Sequence, residues 1–124
     1  MRELRVGIIG LGFMGKTHLG AYAATAGCEV GGVADLAIDT ALSASGGNLH
    51  TGGAGVDWAS LRRYPTPQAL IEDATIEAVS ICTPTDTHVE LALAALKAGK
   101  HVLVEKPVAL RAKDVVRVAE AARA

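Results

Sequence analysis

The stretch Val6-Gly7-Ile8-Ile9-Gly10-Leu11-Gly12-Phe13-Met14-Gly15-Lys16-Thr17-His18 decides the fold of this chain. An apolar, β-branched run passes through three glycines into a helical pattern, which predicts a strand, a tight turn and a helix. The spacing G-x-G-x-x-G assigns Gly10 to the turn, Gly12 to close approach of a pyrophosphate, and Gly15 to tight packing of helix on strand. The start of the helix then offers free N–H groups to an anion.

The same loop also fits a second phosphate-binding motif. Gly10, Gly15, Lys16 and Thr17 spell G-x-x-x-x-G-K-T, the phosphate loop of nucleoside triphosphatases. In that interpretation Lys16 reaches the terminal phosphates and Thr17 holds magnesium, whereas in the dinucleotide interpretation both are ordinary residues of the first helical turn. Because the chain has 14 glycines among 124 residues, the loop alone does not decide between the two.

Length and composition are those of one globular domain. Half of the 124 residues are hydrophobic, and there is no run of about 18 apolar residues that would cross a membrane. The formal net charge of −1 provides no basic field for nucleic acid or anionic lipid, so we expect neither partner. Cys28 and Cys82 are too few for a disulfide framework or a zinc site; we expect no metal, and both cysteines as buried small hydrophobic residues. The chain opens without a signal-peptide pattern, which favours a cytoplasmic protein.

Predicted strands and helices alternate along the chain. The strands are Leu4–Ile9, Cys28–Ala34, 62–64, 78–82 and His101–Val104. The helices are 14–26, a short one over 36–44, Pro67–Glu72 started by Thr66, one that opens at 87 and ends at Gly99, and one from about 112. A glycine-rich loop over 45–55 loses all periodicity, and Trp58 and Leu61 form a helical turn that re-enters the core. Alternation of this kind predicts right-handed βαβ units and a parallel sheet, with the first strand at its centre.

Two of these helices have a predicted buried face. The first helix repeats apolar residues at i, i+3, i+4 and i+7, namely Leu19, Tyr22, Ala23 and Ala26, and Gly27 follows as its end. His18 lies in this helix, and we expect a polar residue bonded locally rather than a ligand. The other begins with Thr87-His88-Val89-Glu90, which has the form of a capping box, and its apolar face carries Val89, Leu93 and Leu96.

The carboxyl ends of the predicted strands carry the candidate ligand-binding residues. They are Gly10, Asp35, Thr83-Pro84 and Glu105-Lys106. In open parallel sheets ligands bind along this edge. Asp35 follows Gly15 by about twenty positions, where a carboxylate grips the adenosine ribose hydroxyls; the alternative is a helix N-cap. We expect NAD to be preferred over NADP, because Asp35 repels a 2′-phosphate and residues 36–38 offer no cation to neutralise one.

Four blocks together resemble one known family. They are Gly10-Leu11-Gly12-Phe13-Met14-Gly15, Asp35, Cys82-Thr83-Pro84-Thr85-Asp86-Thr87-His88, and Ala98-Gly99-Lys100-His101-Val102-Leu103-Val104-Glu105-Lys106-Pro107. The chain is similar to the glucose–fructose oxidoreductase / inositol 2-dehydrogenase (Gfo/Idh/MocA) family. The resemblance implies an α/β Rossmann-type doubly wound domain that binds NAD or NADP, and it disfavours the triphosphatase.

The resemblance also implies roles for individual residues. Cofactor binding falls to Gly10, Gly12, Phe13, Met14, Gly15, Asp35, Thr83, Pro84, His88, Glu105 and Lys106. Lys106 lies beside the nicotinamide and is the implied catalytic residue. It stands between an apolar strand and a proline, and we expect partial desolvation to lower its pKa toward working pH. Glu105 points to the opposite side in an extended chain, which suits a ribose hydroxyl better than chemistry. We expect the Lys106–Pro107 bond to be cis.

The resemblance reaches only the first third of the family's length. The remainder is a second domain that supplies a substrate pocket and a further catalytic aspartate or histidine, so we expect 1–124 to be the dinucleotide-binding domain alone. We therefore predict the cofactor domain of an NAD(P)-dependent oxidoreductase acting on a secondary alcohol of a sugar, cyclitol or related polyol. The alternative is a stand-alone, non-catalytic dinucleotide-binding module. In either case, bare surface can pair two copies into a homo-oligomer.

Overall fold

The computed structural model describes residues 2–35 and 60–124, which form a parallel sheet flanked by helices. The strands are β1 (Leu4–Ile9), β2 (Cys28–Ala34), β3 (Arg63–Tyr64), β4 (Ala78–Ile81) and β5 (His101–Val104). The helices are α1 (Phe13–Ala24), α2 (Pro67–Glu72), α3 (His88–Lys97) and α4 (Ala112–Arg123), and a 3₁₀ turn at Thr85–Thr87 precedes α3. The helix predicted over 36–44, the loop over 45–55 and Trp58 lie outside the described residues.

The strand order β3-β2-β1-β4-β5 places β1 at the centre, as predicted. β1 pairs in parallel with β2, where Ile8 lies opposite Val33, and with β4, where Ile8 lies opposite Ser80. Successive side chains of β1 point to opposite faces, so Ile8 packs with Leu19 of α1 while Ile9 packs on the other face against α2 and α3. Burial on both faces explains why the strand is a continuous apolar run instead of an alternating one.

The predicted buried face of α1 is partly wrong. Leu19 is fully buried and Tyr22 packs beside it, but the alanines at positions 23 and 26 are exposed. The helix ends at Ala24, two residues earlier than predicted, so the last predicted contact falls beyond it. Gly27 follows with φ +88°, the left-handed conformation that commonly ends helices.

The capping box predicted at the start of α3 is also wrong. Thr87 is the N-cap residue, but its hydroxyl lies 2.6 Å from both the Pro84 carbonyl oxygen and the Thr83 hydroxyl. Because residues 85–87 already form a 3₁₀ turn, Thr87 has helical dihedrals and its side chain turns back toward that turn. The buried face is shifted as well: it carries His88, Leu91, Ala92 and Ala95 instead of the predicted Val89, Leu93 and Leu96.

Other predicted boundaries are confirmed. The Thr66 hydroxyl accepts a hydrogen bond from the Ala69 N–H at 3.1 Å, and Pro67 occupies the first turn of α2. Gly99, with φ +80°, follows α3. α4 packs its Val118 onto the core, and Asp114 of the same helix is buried between Arg111 and Arg117. No helix within 2–35 or 60–124 is long and apolar enough to cross a membrane.

Candidate functional site

A cleft of about 800 Å³ opens at the carboxyl ends of β1, β2 and β4. The strand order reverses between β1 and β4, and in sheets of this kind the crevice at that switch point is where ligands bind. Its walls come from the strand tips, α2 and the first turns of α3: Ile9, Gly10, Gly12, Ala34, Asp35, Pro67, Gln68, Cys82, Thr83, Pro84, Asp86, Thr87, Glu90 and Leu91.

The three glycines of the loop have different surroundings. Gly10 has φ +94°, and a Cβ on it would lie 2.7 Å from the Cys82 carbonyl oxygen. A Cβ on Gly15 would lie 1.7 Å from the Gly10 carbonyl oxygen, so the helix can approach the loop this closely only through a glycine. Gly12 differs from both because a Cβ on it would have no described atom within 4 Å, although the residue forms part of the cleft wall.

The start of α1 leaves its first backbone N–H groups without a side-chain cap among the described residues. Gly12 is its N-cap residue. Phe13 and Met14 form the first turn with their side chains 70% and 39% exposed, so their predicted part in cofactor binding would come from backbone N–H groups. An open surface at Gly12 beside uncapped N–H groups fits a pyrophosphate.

The same turn is unsuited to the triphosphatase motif. The Thr17 hydroxyl donates to the Phe13 carbonyl oxygen one helical turn earlier at 2.8 Å, as expected of an ordinary helical threonine. Lys16 is buried, with 9% of its surface exposed. Among the residues that the structure describes, no group of three or more His, Cys, Asp or Glu side chains could hold a metal ion.

Asp35 joins the tip of β2 to the glycine-rich loop. Its Oδ2 accepts a hydrogen bond from the Leu11 N–H at 2.6 Å, and the residue also forms part of the cleft wall. The carboxylate therefore holds the loop and presents negative charge at the place where the sequence predicts an adenosine ribose. The alternative role as a helix N-cap concerns residues beyond 35, outside the described part.

Thr83 and Pro84 lie on the cleft wall, as expected, but His88 does not. The His88 side chain is 1% exposed and lies behind the wall. Its Nδ1 is 2.8 Å from the Pro107 carbonyl oxygen and its Nε2 is 2.8 Å from the Thr83 carbonyl oxygen. The predicted contact of His88 with a cofactor is therefore not supported by the described residues: the buried ring lies between the carbonyl groups of two loops instead of facing the cleft.

Glu105 and Lys106 follow β5 at the same edge of the sheet, one strand beyond β4. The Glu105 N–H donates to the Ile81 carbonyl oxygen, which brings Glu105 next to Cys82. The Lys106–Pro107 bond is cis, as predicted. Lys106 itself is exposed, so the desolvation expected from its apolar neighbours is not provided by the described residues.

His18 belongs to a network that the sequence did not predict. Its Nε2 is 2.8 Å from Glu105 Oε1 and its Nδ1 is 3.0 Å from the Ser80 hydroxyl, so the expected local bonding in α1 is wrong. The Tyr22 hydroxyl lies 2.8 Å from the same Ser80 oxygen. One signal was available: His18 and Tyr22 stand four residues apart, on the side of α1 that faces a strand with one buried serine.

Cys82 is half-buried beside this network instead of being a fully buried hydrophobic residue. Its Sγ lies 3.5 Å from His18 Nδ1. Burial raises the pKa of the Cys82 thiol to about 12, with a further contribution from the negative charge of Glu105. The thiol therefore stays protonated and chemically quiet at neutral pH.

This fold and this cleft together define a Rossmann-type dinucleotide-binding domain. The chain belongs to the Gfo/Idh/MocA oxidoreductase family with an NAD-binding Rossmann fold, whose family model matches residues 4–124. This membership removes the triphosphatase alternative.

Comparison with individual proteins supports the family assignment. The chain is 34% identical over 119 residues to inositol 2-dehydrogenase 3 of Saccharopolyspora erythraea, covering 95% of this chain and 32% of that protein. It is 35% identical over 116 residues to UDP-N-acetylglucosamine 3-dehydrogenase of Acidithiobacillus ferrooxidans, covering 92% and 32%. The crystal structure of an NAD-binding protein from Listeria innocua superposes with a TM-score of 0.82 at 33% identity, covering 98% of this chain and 33% of that one. The chain thus spans about a third of the length of the curated relatives it matches.

Proposed function

We propose that this chain is the NAD-binding domain of a dehydrogenase that oxidises a secondary hydroxyl of a sugar, cyclitol or related polyol. The observation that carries the proposal is the cleft at the switch point, where Gly12 and the uncapped start of α1 meet Asp35 on one edge of the sheet. The names of the relatives, an inositol and a UDP-sugar dehydrogenase, support the substrate class.

Different residues of the site would bind different parts of the cofactor. The N–H groups from Gly12 to Met14 would hold the pyrophosphate, and the Asp35 carboxylate would accept hydrogen bonds from the adenosine ribose. Thr83 and Pro84 would border the nicotinamide half, and Glu105 would accept a hydrogen bond from the nicotinamide ribose. A 2′-phosphate beside Asp35 would meet like charge, which favours NAD over NADP.

Lys106 is the proposed catalytic residue. When bound, NAD supplies the carbon that accepts the hydride leaving the alcohol carbon. Lys106, exposed after β5 at the same edge of the sheet, would take the hydroxyl proton through its Nζ and then hold the carbonyl oxygen as a donor. Its exposure supports a site that is completed by a further wall, because water must be excluded around the reacting atoms.

We further propose that the substrate pocket lies in a second domain, and that the 124-residue chain alone binds NAD without turning over a polyol. Apolar side chains exposed near the end of the chain, Leu103, Leu110, Val115 and Val116, support cover by another domain or by a second copy. Two free cysteines support a cytoplasmic location, where thiols stay reduced.

The test measures binding and turnover separately. Calorimetric titration of the chain with NAD should give saturable binding, while NADH absorbance should stay flat with a panel of polyols. The same assay on the longest reading frame that contains this sequence should show NADH production, which Lys106→Met abolishes and Lys113→Met, at an exposed lysine of α4, leaves unchanged. Absence of NAD binding would refute the cofactor site; steady turnover by the short chain would refute the division into two domains.

A further inference from the structure

A chain of hydrogen bonds crosses the interior between α1 and the sheet and ends at Glu105, at the carboxyl edge of the sheet next to Cys82. It runs from Tyr22 to Ser80, from Ser80 to His18 Nδ1, and from His18 Nε2 to Glu105 Oε1, with distances of 2.8, 3.0 and 2.8 Å. Ser80 is fully buried, and the side chains of His18 and Glu105 are 14% and 22% exposed. These residues come from three elements, α1, β4 and the end of β5.

The chemistry of the carboxylate fixes the direction of the bond between His18 and Glu105. An ionised carboxylate only accepts hydrogen bonds, so Nε2 of His18 carries the proton and donates to Glu105. When Nδ1 carries no proton, it accepts from the Ser80 hydroxyl or from the Cys82 thiol, whose Sγ lies 3.5 Å away. The network therefore selects one tautomer of His18 and one orientation of the ring.

We propose that His18 is a positioning residue for Glu105: it holds the carboxylate at the carboxyl edge of the sheet, next to Cys82 of the cleft wall, so that the remaining oxygen receives a hydroxyl of the cofactor. The inference rests on the proposed function and adds to it a residue outside the cleft wall. Glu105 would otherwise rotate freely, and fixing it in advance lowers the ordering cost of binding.

The location of Ser80 argues against a purely structural explanation. Ser80 lies opposite Ile8 in the sheet, on the face where Ile8, Leu19 and Val33 form an apolar cluster. A small apolar side chain would fit there at no desolvation cost, whereas a buried hydroxyl is tolerated only because both its partners are in place. The chain of hydrogen bonds crosses this apolar layer and ends on the Glu105 carboxylate. Positioning of that carboxylate explains why a polar chain lies here.

A matched pair of variants tests the role. The amide nitrogen of His18→Gln reaches about as far as Nε2 and can donate to Glu105, whereas that of His18→Asn reaches only the position of Nδ1. We expect His18→Gln to bind NAD within about twofold of the wild type and His18→Asn to bind about tenfold more weakly, the change expected for loss of one charge-assisted hydrogen bond. His101→Asn, at an exposed histidine of β5, should bind NAD as the wild type does.

A double-mutant cycle separates positioning from structure. Once Glu105→Ala has removed the carboxylate, adding His18→Asn should weaken NAD binding less than about twofold further, since its effect passes through Glu105. ¹⁵N NMR of the histidines, without cofactor, should show His18 protonated at Nε2.

Three results would overturn the inference. They are equal affinity of the Gln and Asn variants, additive effects in the cycle, or a ring without a proton on Nε2. If the wild-type chain bound no NAD while the ring carried its proton on Nε2, the proposed cofactor site itself would be refuted, and the role of His18 with it.

Discussion

Replacing Gly12 by alanine should separate cofactor binding from folding. The methyl group would meet no described atom within 4 Å, and the residue has φ −74° and ψ −163°, which alanine adopts without strain. Alanine is a poorer N-cap than glycine, but it also restricts the unfolded chain. These effects oppose each other, so we expect the free energy of unfolding to change by less than about 0.5 kcal/mol.

NAD binding should respond very differently to Gly12→Ala. The new methyl group would project into the cleft where the N–H groups of α1 are open. It would hold a pyrophosphate away from at least one of these donors. Loss of one hydrogen bond to a charged group costs about 1.5 to 3 kcal/mol, so affinity for NAD should fall by about 10- to 150-fold.

Gly27→Ala is the matched control, at the opposite end of α1. Gly27 also has open space around it, but its φ of +88° is unfavourable for alanine. We expect this variant to lose about 1 to 2 kcal/mol of stability and to keep its affinity for NAD. Urea unfolding and calorimetric titration measure the two quantities. If Gly12→Ala bound NAD as tightly as the wild type, the pyrophosphate would not lie at this glycine, and the proposed pyrophosphate site at the start of α1 would be refuted.

Three further predictions concern single side chains. Asp35→Ala should bring NADP affinity closer to that of NAD in parallel titrations, and tighter binding of NADP by the wild type would contradict the ribose role. Thr66→Ala should cost about 1 kcal/mol in urea unfolding through loss of the α2 cap, whereas Thr66→Ser should be nearly neutral. The hydrogen bond from Tyr64 holds the pKa of Asp73 well below its ordinary value. The stability it contributes is therefore present above about pH 4 and is lost as the pH falls toward the lowered pKa, so Asp73→Asn should flatten the acid side of the stability profile; an unchanged profile would contradict this.

The parts of the fold that were predictable depend on local chemistry. The apolar run of β1 and the G-x-G-x-x-G spacing predicted the strand, turn and helix, because each requirement acts within a few residues. The Thr66 cap and the glycines at 27 and 99 are local in the same sense. The face of α3 was not predictable, because its sequence is apolar nearly all round. Val89, Leu93 and Leu96 fit a helical stripe as well as Leu91, Ala92 and Ala95 do, and only the position of the sheet selects between them.

The residues of the candidate site also differ in whether local sequence could predict them. Asp35, Gly10 and Gly12 could be placed at the cleft because strand ends and spacing determine their positions. His18 could not, since its partners Ser80 and Glu105 are 62 and 87 positions away in sequence. Exposure of Lys106 was missed for a related reason: apolar neighbours in sequence do not cover a side chain that points away from them.

The His88 ring has a mechanical consequence. One imidazole joins the loop after β4, at the Thr83 carbonyl oxygen, to the turn after β5, at the Pro107 carbonyl oxygen. Both carbonyl oxygens only accept, so the single N–H of a neutral ring donates to one of them and the ring packs against the other; because the ring is 1% exposed, water cannot readily replace that bond while the two loops separate. The loops should therefore move as one rigid body, and any opening or closing motion at this end of the cleft would have to carry Thr83 and Lys106 together.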